Sequence, residues 1–95
     1  MVRVVAKNII KGKHIAEAEK LFRELIAATV KEKGCIEYRL FVKKDQPGLY
    51  IFVEEWETEA DLQNHFAAEH FKRIVPMLGE LKAEEGEVLV LEEFK

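Results

Sequence analysis

The apolar positions of this chain change period several times, and each change marks an element. From Val2 to Ile10 valine and isoleucine dominate, with Arg3 and Lys7 interrupting one side, which predicts a strand ended by Gly12. Between His14 and Lys33, Ile15, Ala18, Leu21, Phe22, Leu25, Ile26 and Val30 recur at three- and four-residue steps. That spacing predicts a long amphipathic helix closed by Gly34. Two β-rich runs follow, Cys35–Lys43 and Leu49–Trp56, and Pro47-Gly48 between them suits the centre of a type II turn, so the pair reads as a hairpin. Thr58 with Asp61 three residues on is close to a capping box, and Leu62 and Phe66 lie one turn apart behind it. Phe71, Ile74, Val75 and Leu78 continue a helical period from about Glu69, but Pro76 lacks the amide hydrogen of an interior turn and predicts a kink or break. After Gly79 and Gly86, the run Glu87–Phe94 reads as the last strand.

The order strand, helix, strand, strand, helix, strand predicts an α+β fold: a ferredoxin-like βαββαβ antiparallel sheet with both helical regions on one face. Leu49, Ile51 and Val53 point to one face of the third strand and Tyr50, Phe52 and Trp56 to the other, so both faces are apolar. Helices can cover only one. A buried large apolar side chain gains about 1.5–3 kcal/mol over an exposed one, and a patch of this size marks an interface. A second copy is the simplest cover, which predicts a homodimer, with two sheets closing into a barrel. A monomer with a tightly twisted sheet is the competing reading.

Ninety-five residues suit one domain spanning 1–95. A chain 48% hydrophobic and 35% charged is too apolar for disorder and too mixed for a fibrous repeat. Fifteen basic against eighteen acidic residues, with no block of either sign, argue against nucleic acid. No apolar run nears the roughly 20 residues that span a bilayer, and the start lacks a signal-peptide core, so no membrane partner and a cytoplasmic location are expected. A lone cysteine, Cys35, forbids an internal disulfide and a cysteine-based zinc site, and reads as a small buried residue.

His65 and His70 are the obvious titratable pair. Five residues along one helix leaves them about 140° apart, which argues against a shared metal. His65, between Leu62 and Phe66, is either a satisfied core residue or a general base facing a cavity; His70 reads as a polar residue near the break between helical segments. Glu54 shares a face with Tyr50, Phe52 and Trp56. It is either solvated at the strand end or an acid–base group in an apolar pocket with a raised pKa. Asn8 could hydrogen-bond a ligand or end the strand pairing. Tyr38 and Arg39 sit on opposite faces, and either could line a pocket. No Walker loop, dinucleotide fingerprint, nucleophile elbow or metal-ligand spacing is present, so no cofactor and no metal are expected.

The runs Gly34-Cys35-Ile36-Glu37-Tyr38 and Glu54-Glu55-Trp56-Glu57-Thr58-Glu59-Ala60, followed by Leu62–His65 and His70-Phe71, resemble the antibiotic biosynthesis monooxygenase (ABM) domain, particularly its small quinol monooxygenase-like members. The resemblance spans almost the whole chain and implies a dimeric α+β barrel. It also implies oxygenation of an electron-rich quinol, phenol or anthrone by dioxygen without flavin, haem or metal. In that chemistry the deprotonated substrate supplies the electrons, and the protein supplies a dry pocket, a base and an oxyanion partner. The resemblance casts His65 as base or proton shuttle and Glu54 as its orienter or the substrate's. Trp56, Tyr50 and Phe52 become aromatic walls, Asn8 a hydrogen-bond partner for a substrate oxygen, and Tyr38 and His70 further substrate contacts. The haem-degrading branch fits at Asn8 but expects a later histidine, and none follows His70. Another branch isomerises a phosphorylated quorum-sensing sugar and would need a cationic site, for which Lys7, Lys11 or Arg39 are available. A non-catalytic small-molecule-binding dimer is a third possibility.

Overall fold

A computed structural model describes all residues from Met1 to Lys95. Its strands are β1 (Val2–Ile10), β2 (Cys35–Val42), β3 (Leu49–Trp56) and β4 (Lys82–Leu91), and its helices are α1 (Ile15–Thr29), α2 (Glu59–Ala67) and α3 (Glu69–Gly79). All pairings are antiparallel in the order β2-β3-β1-β4, the ferredoxin-like arrangement expected.

Register decides which residues meet. Val4 lies opposite Glu54, Ala6 opposite Phe52 and Asn8 opposite Tyr50, while Tyr38 on the other side of β3 also pairs with Glu54. Alternation therefore puts all of these on one face, and this face carries the core: Val4, Tyr38, Phe52 and Trp56 pack with Phe22 and Leu25 of α1, Leu62 of α2 and Ile74 and Leu78 of α3. The other face presents Val5, Ile51 and Val53 at the centre, partly buried, with Phe41, Leu89 and Leu91 exposed around them. Arg3 of β1 spans Glu37 and Glu55 at one end of it.

Several boundaries depart from expectation. A 3₁₀ turn over Gly12–His14 precedes α1, and α1 stops at Thr29, so Val30 is exposed. The predicted Pro47-Gly48 turn forms, with Gly48 at φ 94° and Leu49 N–H donating to the Gln46 carbonyl, but a second turn precedes it, with Asp45 at φ 70°. Pro76 does not break α3: it is exposed in the last turns, where its missing N–H costs one intrahelical bond, that to the Lys72 carbonyl. The break lies at Ala68, whose ψ of 147° separates α2 from α3. β4 starts at Lys82 rather than Glu87, because Gly86 does not end the pairing but sits at a register shift against β1, where a side chain would overlap the Lys7 carbonyl.

Candidate active site

A cavity of about 240 Å³ opens between the helix-side face of the sheet and the helices. Asn8, Tyr38, Phe52 and Glu54 form its sheet wall, His65, Phe66, Phe71 and Leu78 its helical wall, and β4 from Glu85 to Val88 its rim. These groups meet because the even-numbered positions of β3 and the last turn of α2 face each other. Thr58 sets that helix: its hydroxyl oxygen accepts the Asp61 N–H at 3.1 Å and its O–H donates to the Asp61 carboxylate at 2.9 Å.

Glu54 is 5% exposed and not solvated at a strand end. One carboxylate oxygen accepts the Trp56 indole N–H at 3.0 Å, yet burial outweighs that bond and pushes the carboxyl up to about 7, aided by the negative charge of Glu32. Its titration thus moves from the acid range toward neutral pH. Tyr38 stays protonated, its pKa raised by burial and by Glu54. Cys35 is likewise pushed up to about 11 by burial and then by Glu32 and Glu54, which leaves its thiol unreactive.

His65 is 1% exposed, with Trp56 stacked 4.8 Å away, Phe71 at 5.0 Å and Tyr38 at 5.4 Å between ring centroids. Its expected orienter, Glu54, is not its partner. Glu32 is: the Oε2 atom lies 2.8 Å from His65 Nδ1 and 2.6 Å from His70 Nε2. Burial pulls the His65 pKa below its ordinary value more strongly than Glu32 lifts it. The expectation that the two histidines diverge fails because they do not share a helix; the extended backbone of Ala68 swings His70 back toward Glu32. Glu32 Oε2, His65 Nδ1 and His70 Nε2 all lie within 4.8 Å of one another, a donor set able to hold a metal ion.

Of the expected pocket residues, Asn8, Tyr38, Phe52, Glu54 and His65 line one cavity. Trp56 is fully buried and supports His65 and Glu54 without lining it. Tyr50 turns toward α1, donates its hydroxyl to Glu19 and packs on Phe22 at 4.9 Å, outside the cavity. His70 lies behind Glu32 rather than in the lining. Glu32 escaped the sequence reading because Lys31-Glu32-Lys33 looks like a solvated charge run. The available signal was Gly34, whose φ of 82° turns this loop inward against Asp61, where a Cβ would overlap the carboxylate.

A model of the antibiotic biosynthesis monooxygenase family matches residues 1–77, and the chain belongs to that family. A crystal structure of an antibiotic biosynthesis monooxygenase superposes with a TM-score of 0.96 at 37% identity, covering 100% of both chains. A conserved protein from Methanosarcina mazei Go1 gives 0.95 at 36% identity, over 98% of this chain and 92% of that one. An uncharacterized protein of Synechocystis, sll1783, is 30% identical over 88 residues, which are 92% of this chain and 60% of that protein, so the chain spans under two thirds of this curated relative. No helix is long and apolar enough to cross a membrane.

Proposed function

We propose that this chain is a cofactor-independent monooxygenase acting on a small electron-rich aromatic such as a quinol, phenol or anthrone. The observation that carries the reading is Glu54, a carboxyl pushed up to about 7 on the wall of an apolar cavity, in a chain of this family. Ionised Glu54 takes the acidic proton of the substrate, and the resulting anion transfers its electrons to dioxygen. For an anthrone, two C–H bonds at the methylene carbon give way to one C=O, and the second oxygen atom leaves as water; the substrate supplies all four electrons. Asn8 offers an amide to the substrate oxygen, Phe52 and Tyr38 flank the ring, and His65, tied at Nδ1 to Glu32, gives a second polar contact from the helical wall. This exchanges the roles read from the sequence: Glu54 becomes the base and His65 the positioned partner. Apolar walls keep water from the anion and strengthen its electrostatic contacts.

The volume favours a small ring. Ligand pockets usually measure about 300–1,000 Å³, and 240 Å³ leaves no room for a haem. The phosphorylated-sugar reading is less well supported: Lys7 and Lys82 line the cavity, but so do Glu85 and Glu87, and Arg39 lies on the opposite face, paired with Glu37 and 5.0 Å over Phe41. A homodimer joined through the open sheet face, where Phe41, Leu89 and Leu91 are exposed, completes the proposal.

The test is oxygen uptake with a panel of quinols and anthrones. Uptake equimolar with product is expected, reduced at least about 100-fold in Glu54→Gln, the scale of a lost acid–base group. Turnover without oxygen uptake, or Glu54→Gln at full activity, would refute it.

A further inference from the structure

We propose that Glu32, His65 and His70 form a binding site for one divalent first-row transition metal ion, behind the cavity wall and sharing His65 with it. Three different segments deliver the donors: the turn after α1, the last turn of α2 and the first turn of α3. Two imidazole nitrogens converge on a single carboxylate oxygen, at 2.8 and 2.6 Å. Two nitrogens and one carboxylate select zinc, iron, nickel or copper over magnesium and calcium, which take oxygen shells.

The setting suits a chelate. His65 cannot swing away, because Trp56, Phe71 and Tyr38 clamp its ring. The Glu32 turn is fixed by the Glu32 N–H donating to the Thr29 carbonyl at 3.0 Å and the Cys35 N–H donating to the Glu32 carbonyl at 3.2 Å. The side chains of Glu32 and His70 are 15% and 17% exposed, which leaves a path from solvent to the three donors. Bond lengths of about 2.0–2.2 Å set neighbouring donors of a tetrahedral zinc roughly 3.3 Å apart. Glu32, on a partly exposed side chain, has to withdraw by about 0.5–0.7 Å, and the two histidine nitrogens, up to 4.8 Å apart, close by up to about 1.5 Å through movement of the partly exposed His70, since His65 is clamped. The ion enters at His65 Nδ1, on the Glu32 side of the ring.

Isothermal titration of the full chain, stripped with chelator, tests this with Zn²⁺ and with Mg²⁺ as control. One Zn²⁺ per chain and no Mg²⁺ are expected. Loss of an outer-shell partner lowers metal affinity about 10–100-fold, and His70→Ala and Glu32→Gln, which remove ligands, should lower it by at least that much. With Co²⁺ in place of Zn²⁺, the visible absorption of a nitrogen- and oxygen-bound ion should appear in the native chain and vanish in His70→Ala. His14→Ala, which removes the remaining histidine, 3.8 Å from Glu17, should leave both readouts unchanged. No saturable Zn²⁺ binding, or undiminished binding in His70→Ala, overturns the proposal. Neither readout needs a substrate, so the result stands apart from the oxygen-uptake test.

Discussion

At the centre of the helix side of the sheet Val4, Phe52, Glu54 and Trp56 are 5% exposed or less, although Val42, Val88 and Val90 on its edge strands keep 50–60%; on the other face Phe41, Leu89 and Leu91 keep 42–45% of their surface. Both faces alternate out of the same strands and both are rich in apolar residues. The difference is what covers them. Helices dry one face deeply enough to shift a carboxyl from an ordinary value of 4.5 to about 7. On the other face the charges of Arg3, Glu37 and Glu55 pair at one end of an apolar centre that no helix covers. The covered face carries the core and the cavity; the open one keeps apolar side chains at the surface.

Substitutions on the covered face should have the largest effects. Trp56→Ala should lower the unfolding free energy by about 3–5 kcal/mol, the range for a buried aromatic, and it also strips Glu54 of its only donor. Urea unfolding measures this, and an equal loss from Leu89→Ala would erase the contrast between the faces. Glu54 gives the pH signature. Its folded pKa is raised, so its contribution to stability is full below pH 4.5 and is lost as pH rises through about 7. Two to three units correspond to about 3 kcal/mol. Glu54→Gln, which keeps an acceptor for Trp56, should flatten that part of the stability profile and make the chain more stable than the native one at pH 8. Activity in the native chain should rise with pH through about 7 as Glu54 ionises.

Gly34→Ala sharpens the comparison at the border of the two regions. At φ 82° and with a Cβ overlapping Asp61, it should destabilise by more than about 1 kcal/mol. Thermal unfolding within experimental error of the native chain would show that the Glu32 turn is not held as argued. Phe41→Lys with Leu89→Lys on the open face should convert a dimer to an 11.0 kDa species in sedimentation, with little change in secondary structure. An assembly unaffected by these charges would place association elsewhere. Arg3→Ala should be the mildest, at most about 1 kcal/mol, because its ion pairs are solvent-screened.

Strand and helix periods, the Thr58 cap and the Pro47-Gly48 turn were legible because each is set by residues within a few positions of one another. So was the shared face of Phe52, Glu54 and Trp56, since alternation along one strand needs no knowledge of the rest. Glu54 could be named as a candidate acid–base group, although the role of base was read onto His65. Local sequence could not choose between a solvated Glu54 and a buried one with a raised pKa, because that depends on helices from distant parts of the chain that exclude water from it.

Tertiary packing alone decided the polar centre. Lys31-Glu32-Lys33 has the composition of a surface loop, and His65 and His70 at helical spacing point apart, yet one carboxylate oxygen joins both rings. Two backbone angles bring this about, the left-handed Gly34 and the extended Ala68. Neither follows from hydrophobic period, which reports which side of an element is dry and not where the next element begins. Tyr50 shows the same limit: it shares the face of Phe52 and Glu54, but register places it over Glu19 and away from the cavity. Local sequence thus determined the elements and their dry faces, because those depend on near neighbours. Which polar groups met across the fold was decided by the folded geometry, because those pairs are separated by more than 30 residues.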